Sequence, residues 1–187
     1  MLGAEWVLRS SLAMSVAIQT RAAKSSNRLA PAHTGASAEI TLTPAQKRLI
    51  RESFLKLEPA LDLVGQLFYL KLFRLDPALR DRFGSDSKAQ GRKFMAAVKL
   101  TTISLKHNDG LAPTLKLLGV RHRQLGIKVR HYRTMARAWT WTLERSLEKS
   151  FTRETKDAWT KLLVEITYIM SGSDAALLRS VGGSGRV

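Results

Sequence analysis

Few side chains in this sequence could ligate a metal or act as a base near neutral pH. There are four histidines, His33, His107, His122 and His131, and no cysteine. Without cysteine there are no disulfides, thiolate-bound zinc sites, iron–sulfur clusters or thiol nucleophiles. No His-x-x-x-His or Glu-x-x-His pair places two ligands on one helix face, so a metal site made only of protein side chains lacks a framework. A Gly-rich phosphate loop and a Gly-x-Ser-x-Gly elbow are also missing, which removes the usual machinery of phosphoryl transfer and hydrolysis. A single histidine is still enough for iron chemistry where a porphyrin supplies four other ligands. His33 lies in a Ser- and Ala-rich leader and His107 beside the turn Asn108-Asp109-Gly110, so both read as solvated. That leaves His122 and His131, and local residues alone do not choose between them.

Helices must position these groups. Thr43-Pro44-Ala45-Gln46 reads as an N-cap, a first-position proline and a capping-box glutamine, predicting a helix that turns Leu49, Phe54 and Leu57 to a core. A second helix is expected to end near Phe73, stopped by Leu75-Asp76-Pro77, with Asp76 capping a short turn. Ser87-Lys88-Ala89-Gln90 reads as another capping box, opening a helix that aligns Phe94, Val98, Thr101 and Leu105. Asn108-Asp109-Gly110 should break it. A short helix after Pro113, a long one from about Val129 to Leu147, and a last one from Thr152 to Met170 complete the pattern. Strand-like alternation is scarce. The expected fold class is all-α.

With 187 residues, 44% of them hydrophobic, the chain can bury one core. Residues 1–40 read as a basic, disordered N-terminal extension, with a targeting segment or a folded extension as alternatives. Residues 41–172 form the expected domain, and 173–187, with Gly182-Gly183-Ser184-Gly185, a flexible tail. No apolar run approaches the ~20 residues that span a bilayer, and cysteine is absent, so a soluble cytoplasmic protein is expected. The formal net charge of +16 resides mainly in the middle region. From Asp109 to Glu144 there is no acid between, while Lys116, Arg121, Arg123, Lys128, Arg130, Arg133 and Arg137 all fall there. This stretch is either a solvated face or a surface for anionic groups, among them an acidic electron donor or anions such as nitrite.

The order and spacing of several segments are similar to those of one known family. They are Leu67-Phe68-Tyr69 with Leu72-Phe73, Asp76-Pro77-Ala78-Leu79-Arg80, Phe83 and Gln90-Gly91-Arg92-Lys93, followed by Leu118-Gly119-Val120-Arg121-His122, His131-Tyr132 and Phe151-Thr152 with Ala158-Trp159. Residues 42–170 thereby resemble bacterial single-domain globins of the flavohaemoglobin-like branch. The resemblance implies about six to seven helices around a pocket for haem b (iron protoporphyrin IX). It also implies His122 as the proximal iron ligand, Phe83 as the residue that wedges the haem, and Phe94 as the bulky side chain over the iron. Tyr69 and Gln90 would then face the bound gas, and Tyr132 would accompany the proximal histidine. The late glutamate that often completes the proximal pair has no clear match; Asp174 is the nearest acid.

Each of these residues also has a structural reading. Gln90 could close the Ser87 capping box, Tyr69 could be a core residue, and His131 could replace His122. Trp139, Trp141 and Trp159 read as packing residues. If the resemblance holds, two hydrogen-bond donors facing dioxygen should slow its release. The function implied is then high-affinity binding of dioxygen and other diatomic gases. The alternative is nitric oxide dioxygenation or nitrite reduction, which would need a separate reductase because the chain ends about 17 residues after its last helix. A basic helical protein that binds nucleic acid instead of haem is the remaining reading, and a Soret band would exclude it.

Overall fold

Capping explains where most helices begin. The computed structural model describes residues 39–83, 86–106 and 111–172. Thr43 Oγ1 accepts from the Gln46 amide at 3.2 Å while the Gln46 side chain accepts from the Thr43 amide at 3.0 Å, and α1 (Pro44–Leu57) follows. A 3₁₀ turn, Glu58–Ala60, leads into α2 (Leu61–Leu75). Asp76 then takes an extended backbone, as a residue before proline must, and Pro77–Leu79 forms a second 3₁₀ turn into α3 (Arg80–Phe83). The remaining helices are α4 (Ser87–Ser104), α5 (Leu111–Gln124), α6 (Val129–Leu147) and α7 (Arg153–Ser171). Among the described residues there is no strand, so the all-α expectation is met.

Three local expectations need correction. The α4 cap is Asp86, whose carboxylate accepts from the Ala89 amide at 2.8 Å. Ser87 is the first helical residue, so Gln90 is not part of a capping box. Second, α5 starts at Leu111, ahead of Pro113, because a proline in the first turn has no intrahelical N–H bond to lose. Third, α2 runs past Phe73 to Leu75; Asp76 caps the next turn as expected, its backbone carbonyl accepting from the Leu79 amide. The break at Asn108-Asp109-Gly110, His33, His107, Asp174, residues 1–38 and the whole of 173–187 lie outside the described residues.

Two close backbone approaches set the helix arrangement. α2 crosses α4 at Gly65 and Gly91, where a Cβ on Gly65 would lie 2.7 Å from the Gly91 carbonyl oxygen. α5 meets α7 at Gly119, where a Cβ would overlap the Met170 carbonyl group. Around these crossings α2 also packs on α6, and α1 on α7. Phe68, Leu72, Trp139, Leu143, Trp159 and Leu162 lie within the continuous core. Two buried polar side chains there pair with each other: Trp159 Nε1 donates to Ser53 Oγ at 2.9 Å, and Ser53 donates to the Ile50 carbonyl. The N-terminal end of α1 is tied to α7 by Thr41, which donates to Glu165 through its amide at 2.9 Å and its hydroxyl at 2.6 Å.

Candidate functional site

The two crossings also place the chemistry. Tyr69 follows Gly65 by one turn of α2, and Gln90 immediately precedes Gly91 on α4, so the α2–α4 contact brings phenol and amide to one wall. On α5, His122 follows Gly119 by nearly one turn and is carried by the α5–α7 contact. Tyr69, Phe83, Gln90, Phe94, His122 and Tyr132 all line one cavity of about 230 Å³. Every residue selected from the sequence for the site therefore reaches the same cavity.

The rings form two groups. Tyr69 meets Phe83 edge-on at 5.6 Å and Phe94 at 6.3 Å, while Phe94 stacks on Phe68 at 3.9 Å. The second group is His122 and Tyr132, edge to face at 5.8 Å. Burial raises the Tyr69 phenol well above its ordinary range, so it stays a neutral donor. It pushes Tyr132 up to about 12, against the opposing charge of Arg123. The same cause lowers His122 to about 4, leaving its imidazole neutral at physiological pH.

His131 is placed differently. It is buried but does not line the cavity. Its Nδ1 accepts from the Lys128 amide at 3.1 Å and closes the start of α6, and Arg130 Nε lies 3.2 Å from the other ring nitrogen. Burial, then the charge of Arg130, holds its pKa below the ordinary value, with Arg82 and Lys128 adding and Asp76 opposing.

Sequence did not single out the rest of the cavity lining, in which two tryptophans and a lysine stand out. Trp139 and Trp159, read as packing residues, both line it. Lys93 lines it too, half-buried, on the helix face of Gln90; the i, i+3 spacing was the available signal. Two ties hold the α5 end of the site. Arg82 Nη1 donates to the Leu125 carbonyl at 2.8 Å, and Arg123 Nη1 to the Met170 carbonyl at 3.1 Å.

The cavity suits a large, flat, mostly apolar guest with polar features. Among the described residues, Gln90 Oε1, the Tyr132 hydroxyl and Trp139 Nε1 are buried without a hydrogen-bond partner. Buried polar groups are normally paired, so these point to a missing partner in the cavity. The described residues hold no group of three His, Cys, Asp or Glu, so a metal here would need ligands from its own macrocycle. One neutral imidazole, aromatic walls and a cation at the edge fit haem.

Comparison with known proteins agrees with this geometry. Residues 66–170 match the family model for globins. The chain is 24% identical over 139 residues to a flavohemoprotein of Vibrio cholerae, covering 73% of this chain and 35% of that protein. Flavohemoproteins of Bordetella parapertussis and Bordetella bronchiseptica are each 22% identical over the same length, with the same coverage. The match thus spans about a third of the length of these relatives. No helix among the described residues is long and apolar enough to cross a membrane. With its all-helical fold, its aromatic cavity and a family match over more than half its length, this chain belongs to the globin family and is a haem-binding globin.

Proposed function

We propose that this globin binds dioxygen reversibly and tightly at a b-type haem whose iron is ligated by His122. The observation that supports this most is the convergence of Tyr69, Gln90 and His122 on one buried cavity. When bound, the haem supplies an iron atom with an open position for a diatomic gas. His122 offers a lone pair that protons do not occupy near neutral pH, and the Tyr132 ring beside it orients the imidazole. Phe83 and Phe94 would hold the macrocycle between aromatic walls, and Lys93 would offer a cation to its carboxylates. The Tyr69 phenol and the Gln90 amide, freed from any capping role, donate to the polar end of the gas. Each such bond to a charged acceptor is worth ~1.5–3 kcal/mol, enough to slow release by about one to two powers of ten. Slow release suits scavenging or gas chemistry better than delivery.

The test is the dissociation rate of oxygen, taken relative to that of the less polar carbon monoxide, in wild type and Tyr69→Phe. A rise of about 10–100-fold in the ratio is expected on losing one charge-assisted bond. An unchanged ratio would make Tyr69 a packing residue and remove the argument for tight binding.

The cations of α5 and α6, which form no ion pair among the described residues, favour a second reading, in which the same site turns over nitric oxide or nitrite with electrons from a separate donor. Stopped-flow mixing of the oxygen-loaded protein with nitric oxide separates the two. Fast conversion to the ferric form with nitrate release supports turnover, and slow displacement supports simple binding.

A further inference from the structure

The helix that carries His122 has an outer face with its own pattern. On α5 the exposed residues are Pro113, Lys116, Leu117, Val120, Arg123 and Gln124, spaced as one continuous stripe. Leu117 is 50% exposed and Val120 41%, side by side on this face. Cations flank them: Lys116 and Arg123 on the stripe, and Arg121 half-buried beside it. No described acid forms an ion pair with any of these three, the observed pairs being Arg48–Glu52, Lys99–Glu58 and Lys156–Glu144. The opposite face of α5 is committed, since Leu115, Leu118 and His122 line the cavity and Gly119 abuts Met170.

We infer that the outer face of α5 docks an acidic protein that donates single electrons to the site. An apolar centre with a cationic rim is the anatomy of a protein interface, in which charge guides encounter and the apolar centre holds the complex. Nucleic acid would use the cations but has no use for two exposed aliphatic side chains. A second copy of this chain, itself at +16, would be repelled. The location also matters. A protein seated on this stripe is separated from the cavity by the thickness of one helix, ~10 Å. Electron delivery rests on the haem reading proposed above: the donor is oxidised by one electron, the ferric iron accepts it and becomes ferrous, and no atom or proton is transferred.

The probe is an acidic [2Fe–2S] ferredoxin, a one-electron donor. Binding of its oxidised form to the full chain is measured by calorimetry at low and high salt, for wild type, Lys116→Glu and the pair Leu117→Ser/Val120→Ser. All three side chains are exposed, and circular dichroism checks that each variant keeps its helices. Arg123 is left intact because it bonds the Met170 carbonyl. Wild type should bind at low salt and lose affinity as salt rises. Lys116→Glu should weaken binding about tenfold and flatten the salt dependence, whereas the apolar pair should weaken it with the salt dependence kept. Absence of binding, or equal binding by all three proteins, overturns the inference. So does tighter binding of duplex DNA or phosphatidylglycerol vesicles, lost in the same variants, since that would assign the face to a polyanion. A kinetic arm follows reduction of the ferric protein by reduced ferredoxin and by the small neutral 5-deazariboflavin radical. The variants should slow the first about tenfold and leave the second unchanged; equal slowing of both would contradict docking. The calorimetry needs no haem, so it distinguishes failure of the docking face from failure of the haem reading.

Discussion

Arg82 Nη1 donates a 2.8 Å hydrogen bond to the carbonyl oxygen of Leu125. The bond joins two segments that border the cavity. Arg82 precedes Phe83 at the end of α3, and Leu125 lies in the turn after α5, where the His122 carbonyl accepts from the Leu125 and Ile127 amides. Gly126, at φ +71, has no side chain to obstruct the guanidinium, which lies 2.8 Å from where a Cβ would sit. The link therefore ties the segment that carries Phe83 to the turn that follows His122. One partly exposed hydrogen bond contributes ~0.5–1.5 kcal/mol. Arg82→Ala is expected to speed haem transfer to an apo-globin acceptor by about 2–10-fold, with Arg82→Lys intermediate. Identical haem-loss rates in all three proteins would show that the link does not hold the pocket.

Glycine at the helix crossings is required by contact, not by turn geometry. An exposed helix glycine changed to alanine gains stability, by ~1 kcal/mol. At Gly65 and Gly119 the sign should reverse, because a Cβ meets the backbone of Gly91 or Met170 and the neighbouring helix must move. Overpacking of this kind typically costs ~1–3 kcal/mol. Urea unfolding should show Gly65→Ala and Gly119→Ala both destabilised by at least that amount. Either variant matching or exceeding wild type would mean that the crossing is looser than described.

Local signals in the sequence were enough for much of this fold. The reciprocal Thr43–Gln46 cap and the span Val129–Leu147 were legible because capping and helical period are short-range properties. The start of α4 was misplaced by one residue, since Asp86 and Ser87 are both good caps and stand side by side. Pro113 was taken as a boundary although a first-turn proline costs a helix nothing. Gathering of Tyr69, Gln90 and His122 into one cavity was expected only through family resemblance, because it depends on two crossings far apart in sequence. The Gly65–Gly91 and Gly119–Met170 contacts, the Arg82 link and the exposure of Trp139 to the cavity had no local signal beyond glycines inside helices.

The corrected cap separates two roles that the sequence left merged. Asp86 holds the start of α4, and Gln90 lines the cavity with no part in the cap. Asp86→Ala should cost ~1 kcal/mol of stability in thermal unfolding and leave oxygen dissociation unchanged. Gln90→Leu should speed oxygen dissociation several-fold with little loss of stability. If Gln90→Leu changes only stability, the glutamine supports the helix and does not face the gas.

Acid should weaken the folded state through His122. Burial lowers its pKa to about 4 from the ordinary 6.5, so between these values the unfolded chain binds a proton that the folded chain refuses. Stability from the neutral imidazole is full above about 6.5 and is lost as pH falls toward 4. Comparing urea unfolding of the haem-free wild type and haem-free His122→Gln cancels the acid response of all other groups. Between pH 7 and pH 5 the wild type should lose up to about 2 kcal/mol more than the variant. Parallel pH profiles would place His122 in water rather than in the cavity wall.

The absorption spectrum of the purified protein, compared with His122→Ala and His131→Ala, tests the central claim most directly. His122 lines the cavity, whereas His131 closes the start of α6 from outside it. Wild type and His131→Ala should each carry one equivalent of haem, with a Soret band and a five-coordinate, histidine-ligated ferrous form. His122→Ala should lose stoichiometric haem, and added imidazole should restore it in part. A wild type without a Soret band, or a His122→Ala variant that keeps the histidine-ligated ferrous spectrum, would contradict the assignment of His122 as the iron ligand.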